Sequence, residues 1–306
     1  MCFSDEPTGR LALVFELMDM NMYDAIKGKR HYLPENRVKY YMYQLIKSID
    51  HMHRNGIFHR DIKPENILLS EDHVKLADFG SCRGIYSKQP YTEYISTRWY
   101  RAPECLLTDG YYGYKMDLWG VGCVLFEVIS LFPLFPGNDE VDQVHKIHNI
   151  LGSPEKSLLD NFQKYATHME FNFPNVDGTG IEKLIPHASV EVQDLIQKLL
   201  VYNPDNRITA SQALKHLWFK ELREQEYMLK QQYAGSLTQS SVRATFADSL
   251  SQYSKHSDDG HGTEVGVRST NQIKGIYSNK KKNNEKFGKT QKKLPDLTTG
   301  GYNEQF

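Results

Sequence analysis

Residues 59–66, with the sequence HRDIKPEN, place several chemically useful side chains close together. The stretch has a carboxylate at Asp61, an ammonium at Lys63 and a carboxamide at Asn66, and a second carboxylate, Asp78, follows. A carboxylate can accept the proton of a hydroxyl, and an ammonium can neutralise a phosphate as a point charge. Amide and carboxylate oxygens are hard ligands that suit Mg²⁺. The ordinary alternative is that Asp61 is a turn or cap carboxylate and Asn66 a turn amide.

Further short motifs follow these residues in a fixed order. They are DFG at 78–80, APE at 102–104 and DLWGVG at 117–122. One tripeptide arises easily by chance, whereas HRD and these three motifs in this order and spacing do not. On these motifs, residues 8–220 resemble a eukaryotic protein kinase, chiefly its C-terminal lobe.

The resemblance implies transfer of the γ-phosphate of ATP to Ser or Thr of protein substrates. It implies that Asp61 accepts the hydroxyl proton and that Lys63 reaches the transferring phosphate. Asn66 and Asp78 are then expected to bind Mg²⁺, and Thr97 to hydrogen-bond Asp61 and Lys63. By the same resemblance His59 and Phe79 pack beneath the site. It also implies a buried ion pair between Glu104 and Arg207.

The resemblance extends to the residues that contact the nucleotide. Residues 11–15 match the last strand of the small lobe, where Phe15 guards the back of the pocket, and residues 16–18 match the hinge that holds the adenine edge. The residues expected to contact ATP are Glu16, Met18, Lys63, Asn66, Leu68 and Asp78.

Residues 91–101 are similar to the dual-phosphorylation loop of the mitogen-activated protein kinases, which belong to the CMGC group. Residues 79–83 and 86–94 match one kinase type of that group more finely. Thr92 and Tyr94 are the expected phosphorylation sites, and each phosphate adds a charge of about −1.5 to −2 that needs cationic partners. The resemblance supplies these partners as arginines: Arg60 and Arg83 for phosphothreonine, and Arg98 and Arg101 near phosphotyrosine. The alternative is an exposed polar loop whose arginines pair with ordinary carboxylates.

Arg98 and Arg101 also resemble the feature with which this group prefers a proline after the target residue. The expected partners are therefore proteins with Ser-Pro or Thr-Pro sites. Thr92 and Tyr94 are modified either by an upstream kinase or by the chain itself.

The elements that position these residues are predicted to be mostly helical. Residues 34–56 have apolar residues at helical spacing, and 117–131 are apolar nearly all round, which indicates a buried central helix. Amphipathic runs follow at 140–151, 190–201 and 211–219. We expect a mainly α protein with a kinase-like α+β fold, in which the C-terminal lobe is nearly complete and the N-terminal β lobe largely missing.

A complete kinase domain begins with a glycine-rich loop, a strand lysine and a helix glutamate, none of which we find in this sequence. Two functions therefore stay open. The first is a proline-directed Ser/Thr kinase regulated by its Thr-Glu-Tyr loop. The second is a catalytically weak or inactive truncated isoform that acts as a binding or dominant-negative module.

The chain is expected to have two parts. Residues 1–219 form the kinase domain, with the last small-lobe strand and hinge at 8–18 and the helical lobe at 19–219. Residues 220–306 have few branched apolar residues and are predicted to be a disordered tail. Its segment 272–295 is lysine-rich, and Lys280-Lys281-Lys282 is either solvated tail or a nuclear-import signal.

Composition excludes several other classes. The 306 residues contain 37 Lys and Arg against 38 Asp and Glu, a net charge of −1, which excludes a globally basic nucleic-acid binder. The four cysteines form no C-x-x-C pair, so we expect reduced thiols in an intracellular protein. Neither a signal peptide nor a membrane-spanning stretch is evident. We expect a cytoplasmic protein, with the nucleus as the alternative, and neither a membrane nor a specific nucleic acid as partner.

Overall fold

The computed structural model describes residues 2–5, 10–92, 97–167 and 169–232, all of which belong to one compact unit, Met1–Ala244. The expected mainly α class is confirmed, because helices supply most of the buried core. No helix among the described residues has the length and apolar character needed to cross a membrane. The lysine-rich segment 272–295 lies outside the described residues.

The strands form three small antiparallel sheets. The first is a hairpin of β1 (Cys2–Asp5) and β2 (Arg10–Leu13), in which Cys2 pairs with Leu13. The single strand predicted at 11–15 is therefore wrong in its bounds, since β2 ends before Phe15 and pairs with an unpredicted β1. The sequence CFSD of β1 is too short and too polar to show strand alternation, and it is stabilised as a strand by its pairing with β2.

The other two sheets border the loops that carry chemistry. The second sheet has the order β3 (Met20–Asn21), β5 (Ile67–Ser70) and β6 (His73–Leu76). The third pairs β4 (Ile57–Phe58) with β7 (Arg83–Gly84). Strand β4 directly precedes residues 59–66, and β6 directly precedes Ala77 and Asp78, so both loops begin at fixed strand ends.

Nine helices of the described residues surround one core. Their bounds are α1 Met22–Ile26, α2 Glu35–Arg54, α3 Pro103–Leu106, α4 Met116–Ser130, α5 Glu140–Leu151, α6 Lys156–Gln163, α7 Val190–Leu199, α8 Ala210–Leu214 and α9 220–232. Helix α2 begins after Pro34 and buries the predicted stripe that includes Val38, Met42, Leu45 and Ile49. Every residue of α4 is buried, so the predicted central helix is confirmed.

The run 211–219 was predicted as one helix and is two elements. Helix α8 ends at Leu214, and a 3₁₀ turn covers Leu217–Phe219. The His216 side chain accepts a hydrogen bond of 3.3 Å from the Trp218 amide and so caps the turn. Because both elements bury apolar residues, hydrophobic spacing alone did not reveal the break.

The prediction that the disordered tail starts at residue 220 is wrong for residues 220–232, which form α9. Leu222 packs against the core, and Glu226 forms an ion pair of 2.8 Å with Lys47 of α2. The Tyr43 hydroxyl donates a hydrogen bond of 2.8 Å to the same carboxylate. The low apolar content averaged over the whole tail obscured this short docked helix.

Candidate active site

One carboxylate of the buried helix α4 supports the start of the loop formed by residues 59–66. Asp117 accepts hydrogen bonds of 2.8 Å from the backbone amides of His59 and Arg60. Arg60 has a φ of +69°, a left-handed conformation that is uncommon outside glycine and needs such support. The buried carboxylate therefore fixes the chain direction immediately before Asp61.

Asp61 is the centre of a compact set of polar contacts. Its Oδ2 lies 2.8 Å from the Lys63 ammonium and accepts a hydrogen bond of 2.8 Å from Asn66 Nδ2. Asn66 Nδ2 also donates to the Asp61 carbonyl at 2.9 Å. A 3₁₀ turn over Pro64–Asn66, with Pro64 at its first position, returns Asn66 to Asp61. The structure thus brings together three of the residues singled out in the sequence, with Asp61 and Asn66 buried.

Asp78 presents an exposed carboxylate at the start of the next loop. It has a φ of +62°, and its Oδ1 accepts a hydrogen bond of 3.4 Å from the Gly80 amide. Because Nδ2 of Asn66 is used by Asp61, Oδ1 is the Asn66 atom suited to a cation. Together with Asp78 it is a hard oxygen set that fits Mg²⁺, which keeps several water or phosphate ligands. Among the residues the structure describes, no cluster of three His, Cys, Asp or Glu forms an all-protein metal site.

His59 and Phe79 differ in their surroundings. His59 is fully buried, its Nε2 donates a hydrogen bond of 3.0 Å to the Ala77 carbonyl, and its ring contacts Phe79 edge-on with centroids 5.5 Å apart. His59 therefore packs beneath the loops as expected. Phe79, however, is 56% exposed, so the expectation that it also lies beneath the site is wrong.

An open cleft of about 740 Å³ lies beside this set of residues. Four of the six residues expected to contact ATP line it: Glu16, Met18, Leu68 and Asp78. Lys63 and Asn66 are not among the lining residues, although the Asn66 carbonyl accepts a hydrogen bond of 2.9 Å from the Ala77 amide at the cleft wall. Lys75, Leu76 and Ala77 line the cleft and were missed. The short run VKLA at 74–77, directly before the DFG motif, has the character of a strand that leads into the site and could have identified them.

The arginines of the predicted phosphate-binding set occupy different environments. Arg60 is buried, with hydrogen bonds from Nε to the Ser81 carbonyl at 2.5 Å and from NH1 to the Tyr112 hydroxyl at 2.9 Å. Arg83 is exposed on β7. The guanidinium groups of Arg60 and Arg83 therefore differ in burial.

Arg98 and Arg101 hold the segment before α3 against the segment that leads into α5. Arg98 NH1 donates to the Asn138 carbonyl at 3.1 Å, and Arg101 NH1 lies 3.2 Å from Glu140. Burial lowers the pKa of the Arg101 guanidinium, while the Glu140 carboxylate opposes this. Arg101 thus pairs with a carboxylate in the structure, and its expected place near phosphotyrosine stays a prediction.

Thr92 and Thr97 are both exposed, and Thr97 precedes a 3₁₀ turn over Arg98–Tyr100. Tyr94 lies outside the described residues. The predicted ion pair of Glu104 and Arg207 is present as two hydrogen bonds of 2.6 and 2.9 Å, with both side chains buried. Arg207 also lies 5.2 Å from the ring centroid of Trp119 in α4.

The buried carboxyl of Glu127 was missed. It accepts a hydrogen bond of 2.7 Å from the Tyr100 hydroxyl, which ties the segment 98–101 to α4. Burial raises the pKa of both Glu127 and Tyr100. In the sequence, Glu127 is the one charged residue within 118–131, and a charge inside such an apolar run is a signal for a buried polar partner.

Comparisons with known proteins match most of the chain. The protein kinase domain family matches residues 2–219. The chain is 58% identical over 222 residues to the MAPK/MAK/MRK overlapping kinase of Homo sapiens, which covers 72% of this chain and 53% of that protein. It is 44% identical over 211 residues to the serine/threonine-protein kinase MAK of Mus musculus, and the match covers 69% of this chain and 34% of that protein. It is 43% identical over 209 residues to cyclin-dependent kinase F-3 of Oryza sativa, and the match covers 68% of this chain and 48% of that protein. The chain thus spans about half or less of the length of these relatives.

Proposed function

The chain belongs to the protein kinase family, as a member of the CMGC Ser/Thr kinases, and on this premise we propose that it phosphorylates Ser and Thr residues of proteins with ATP. The predicted resemblance is confirmed, and the kinase type that residues 79–83 and 86–94 were expected to match is the MAPK/MAK/MRK overlapping kinase. The observation that carries the proposal is the contact of the Asp61 carboxylate with both Lys63 and Asn66 at 2.8 Å.

In this proposal Asp61 receives the proton of the substrate hydroxyl. The lone pairs of its carboxylate are oriented by Lys63 and Asn66, and its backbone is fixed through Asp117, so little reorganisation is needed at the moment of reaction. Lys63 places a positive charge beside this carboxylate. That charge can also neutralise the phosphate being transferred.

The proposal assigns Asn66 and Asp78 to Mg²⁺ and the open cleft to the nucleotide. When bound, Mg²⁺ neutralises and orients the phosphates of ATP. The apolar side chains of Met18 and Leu68 suit an adenine ring, and the backbone of residues 16–18 borders the same cleft. These assignments are supported by the donor types, by Asp78 in the cleft lining, and by the hydrogen bond from the Ala77 amide at the cleft wall to the Asn66 carbonyl.

Proline-directed specificity and regulation by the Thr-Glu-Tyr loop are further parts of the proposal. Thr92 is exposed and can be reached by another kinase or by a second copy of this chain. The nearby guanidinium of Arg60 supports a role for a phosphate in this loop. Protein substrates with Ser-Pro or Thr-Pro sites are the partners that this proposal predicts.

One observation favours the second candidate, a binding module without turnover. Phe15, which lines the cleft, is 79% exposed, and Leu17 in the neighbouring hinge is 92% exposed, so apolar surface at the hinge is uncovered. A nucleotide held by such an open wall loses less water on binding and is held less tightly.

Two measurements on the full chain separate these candidates. Thermal unfolding with and without Mg-ATP reports binding. A free ligand concentration of 100 times Kd adds about 2.7 kcal/mol to the free energy of unfolding. Transfer of labelled phosphate to a Ser-Pro peptide, with a Ser-Ala peptide of otherwise equal sequence as control, reports the reaction and its specificity. Stabilisation and transfer support the kinase, stabilisation without transfer supports the binding module, and the absence of both contradicts nucleotide binding by this chain.

We further propose a cytoplasmic location, with the lysine-rich segment 272–295 as an optional nuclear-import signal. Imaging of the tagged chain with and without this segment tests the signal. A loss of nuclear protein on deletion supports it, and an identical distribution contradicts it.

A further inference from the structure

The segment that leads to Thr92 is attached by three hydrogen bonds to the turn between α3 and α4. Gln89 Nε2 donates to the Tyr112 carbonyl at 2.6 Å, and the Tyr91 amide donates to the Gly110 carbonyl at 2.8 Å. The Tyr112 hydroxyl donates to the carbonyl of Thr92 itself at 2.7 Å. The backbone at the expected phosphorylation site is therefore fixed in the chain as it stands, without a phosphate.

The turn is shaped to receive this segment closely. Gly110 has a φ of +83°, and a Cβ at this position would come within 2.8 Å of the Tyr91 nitrogen, so only glycine fits. The Tyr91 ring packs between Phe58 and Tyr112, with centroid distances of 5.6 and 5.3 Å. The contact is thus built from backbone, ring and hydroxyl groups together.

The Tyr112 hydroxyl has a second partner, in the loop that carries Asp61. It accepts a hydrogen bond of 2.9 Å from Arg60 NH1 while it donates to Thr92, which uses both capacities of one hydroxyl. Tyr112 is buried, which raises the pKa of its hydroxyl to about 12, and a tyrosine hydroxyl with the ordinary value near 10 is also protonated at neutral pH. A single oxygen atom therefore connects Arg60 with Thr92.

We propose that Tyr112 is a positioning residue that couples the loop bearing Asp61 to the segment bearing Thr92 before phosphorylation. Arg60 is oriented by the Tyr112 hydroxyl and by the Ser81 carbonyl, so the unphosphorylated chain already has part of the order that a phosphate would otherwise provide. Phosphorylation of Thr92 then adds a second attachment. The effect on rate depends on the proposed kinase function, whereas the attachment itself does not.

The test compares wild type, Y112F and Y111F as full chains, each prepared with and without phosphate on Thr92. Y111F is the matched control, because Tyr111 is 38% exposed and its ring packs on Tyr165, with centroids 4.7 Å apart. Hydrogen exchange of the Tyr91 amide measures the attachment, and kcat and KM for a Ser-Pro peptide measure the reaction.

We expect Y112F to raise the exchange rate of the Tyr91 amide about tenfold in the unphosphorylated chain, the equivalent of one lost hydrogen bond. Its kcat should fall by a similar factor with KM nearly unchanged, and phosphorylation of Thr92 should restore most of the loss. Y111F should match wild type in all three measurements.

Unchanged exchange in Y112F overturns the attachment. A kcat loss that phosphorylation leaves in place, or that Y111F shares, overturns the coupling and indicates a merely structural tyrosine. If wild type transfers no phosphate, the proposed function fails, and the exchange comparison still decides the attachment.

Discussion

The Oδ1 atom of Asp117 accepts a hydrogen bond of 2.8 Å from the backbone amide of Arg60, which lies 57 residues earlier in the chain. Its other oxygen accepts from the His59 amide and lies 2.8 Å from His53 Nε2. Because α4 is buried along its whole length, this carboxylate transmits the rigidity of the core to the loop that carries Asp61. The geometry of the site therefore depends on a side chain that no substrate reaches.

The substitution Asp117→Asn tests this support. The substitution replaces one carboxylate oxygen of Asp117 with an NH2 group, so one of the buried backbone amides loses its hydrogen-bond acceptor. We therefore expect the free energy of unfolding to fall by about 2–4 kcal/mol. The loop should also lose order, so the kcat of the remaining folded protein should fall at least about tenfold. Denaturant unfolding and peptide phosphorylation measure the two effects.

The control for Asp117→Asn is Asp160→Asn, which makes the same change at an exposed position of α6. It should leave stability and rate near wild type. If the two variants behave alike, Asp117 does not support the loop.

The ion pair of Glu104 and Arg207 should show strong coupling. Removing one partner leaves a fully buried charge, so Glu104→Gln and Arg207→Met should each cost about 3–5 kcal/mol. The double variant should cost clearly less than the sum of the two single variants. Denaturant unfolding of the four proteins measures the coupling, and strict additivity would show that the two side chains act independently.

Local patterns in the sequence were sufficient for much of this architecture. The apolar spacing of 34–56 and the continuous apolar run of 117–131 predicted α2 and α4, because burial of those faces depends on short-range periodicity. The contact of Asp61 with Lys63 and Asn66 was also within reach, since the three lie in one short loop. The roles of these residues in the reaction stay predictions.

Long-range pairings could not be deduced in the same way. The short polar strand β1 depends on its pairing with β2, and Tyr112 is important only because Arg60 and Thr92 converge on its hydroxyl. Neither relationship leaves a periodic pattern. Helix α9 was missed because its charged residues Glu221 and Glu226 find partners on α2, which composition does not reveal.

The attachment of α9 should weaken in acid. Hydrogen bonds from Lys47 and Tyr43 lower the pKa of Glu226 to about 2, from an ordinary value of 4.5. Because the folded state favours the ionised Glu226 carboxylate, this carboxylate stabilises the attachment of α9 above pH 4.5. The stabilisation is lost as the pH falls from about 4.5 to about 2. Hydrogen exchange of the α9 amides, measured across this range, should therefore accelerate relative to the core helix α4.

Two variants isolate the contribution of Glu226. Glu226→Gln should already show fast exchange of α9 at pH 7 and a weaker dependence on pH, whereas Glu224→Gln, at an exposed site, should follow wild type. An identical pH profile in Glu226→Gln and wild type would assign the attachment to Leu222 and the apolar contacts alone.

The metal assignment predicts a specific change in Mg²⁺ dependence. Asp78→Asn replaces a carboxylate with a weaker neutral ligand, so the Mg²⁺ concentration for half-maximal phosphate transfer should rise at least about tenfold. Thermal unfolding without metal should stay near wild type, because Asp78 is exposed. An unchanged Mg²⁺ requirement would remove Asp78 from the metal site.

The most direct measurement is single-turnover phosphate transfer to a Ser-Pro peptide by wild type, Asp61→Asn and the control Asp72→Asn, which changes an exposed turn carboxylate. Asp61→Asn removes the proton acceptor, so its rate should fall about 10²–10⁴-fold while its thermal stabilisation by Mg-ATP is retained. Asp72→Asn should react at the rate of wild type. If wild type and Asp61→Asn transfer phosphate at equal rates, Asp61 is not the base, and the account of this site as a protein kinase centre is contradicted.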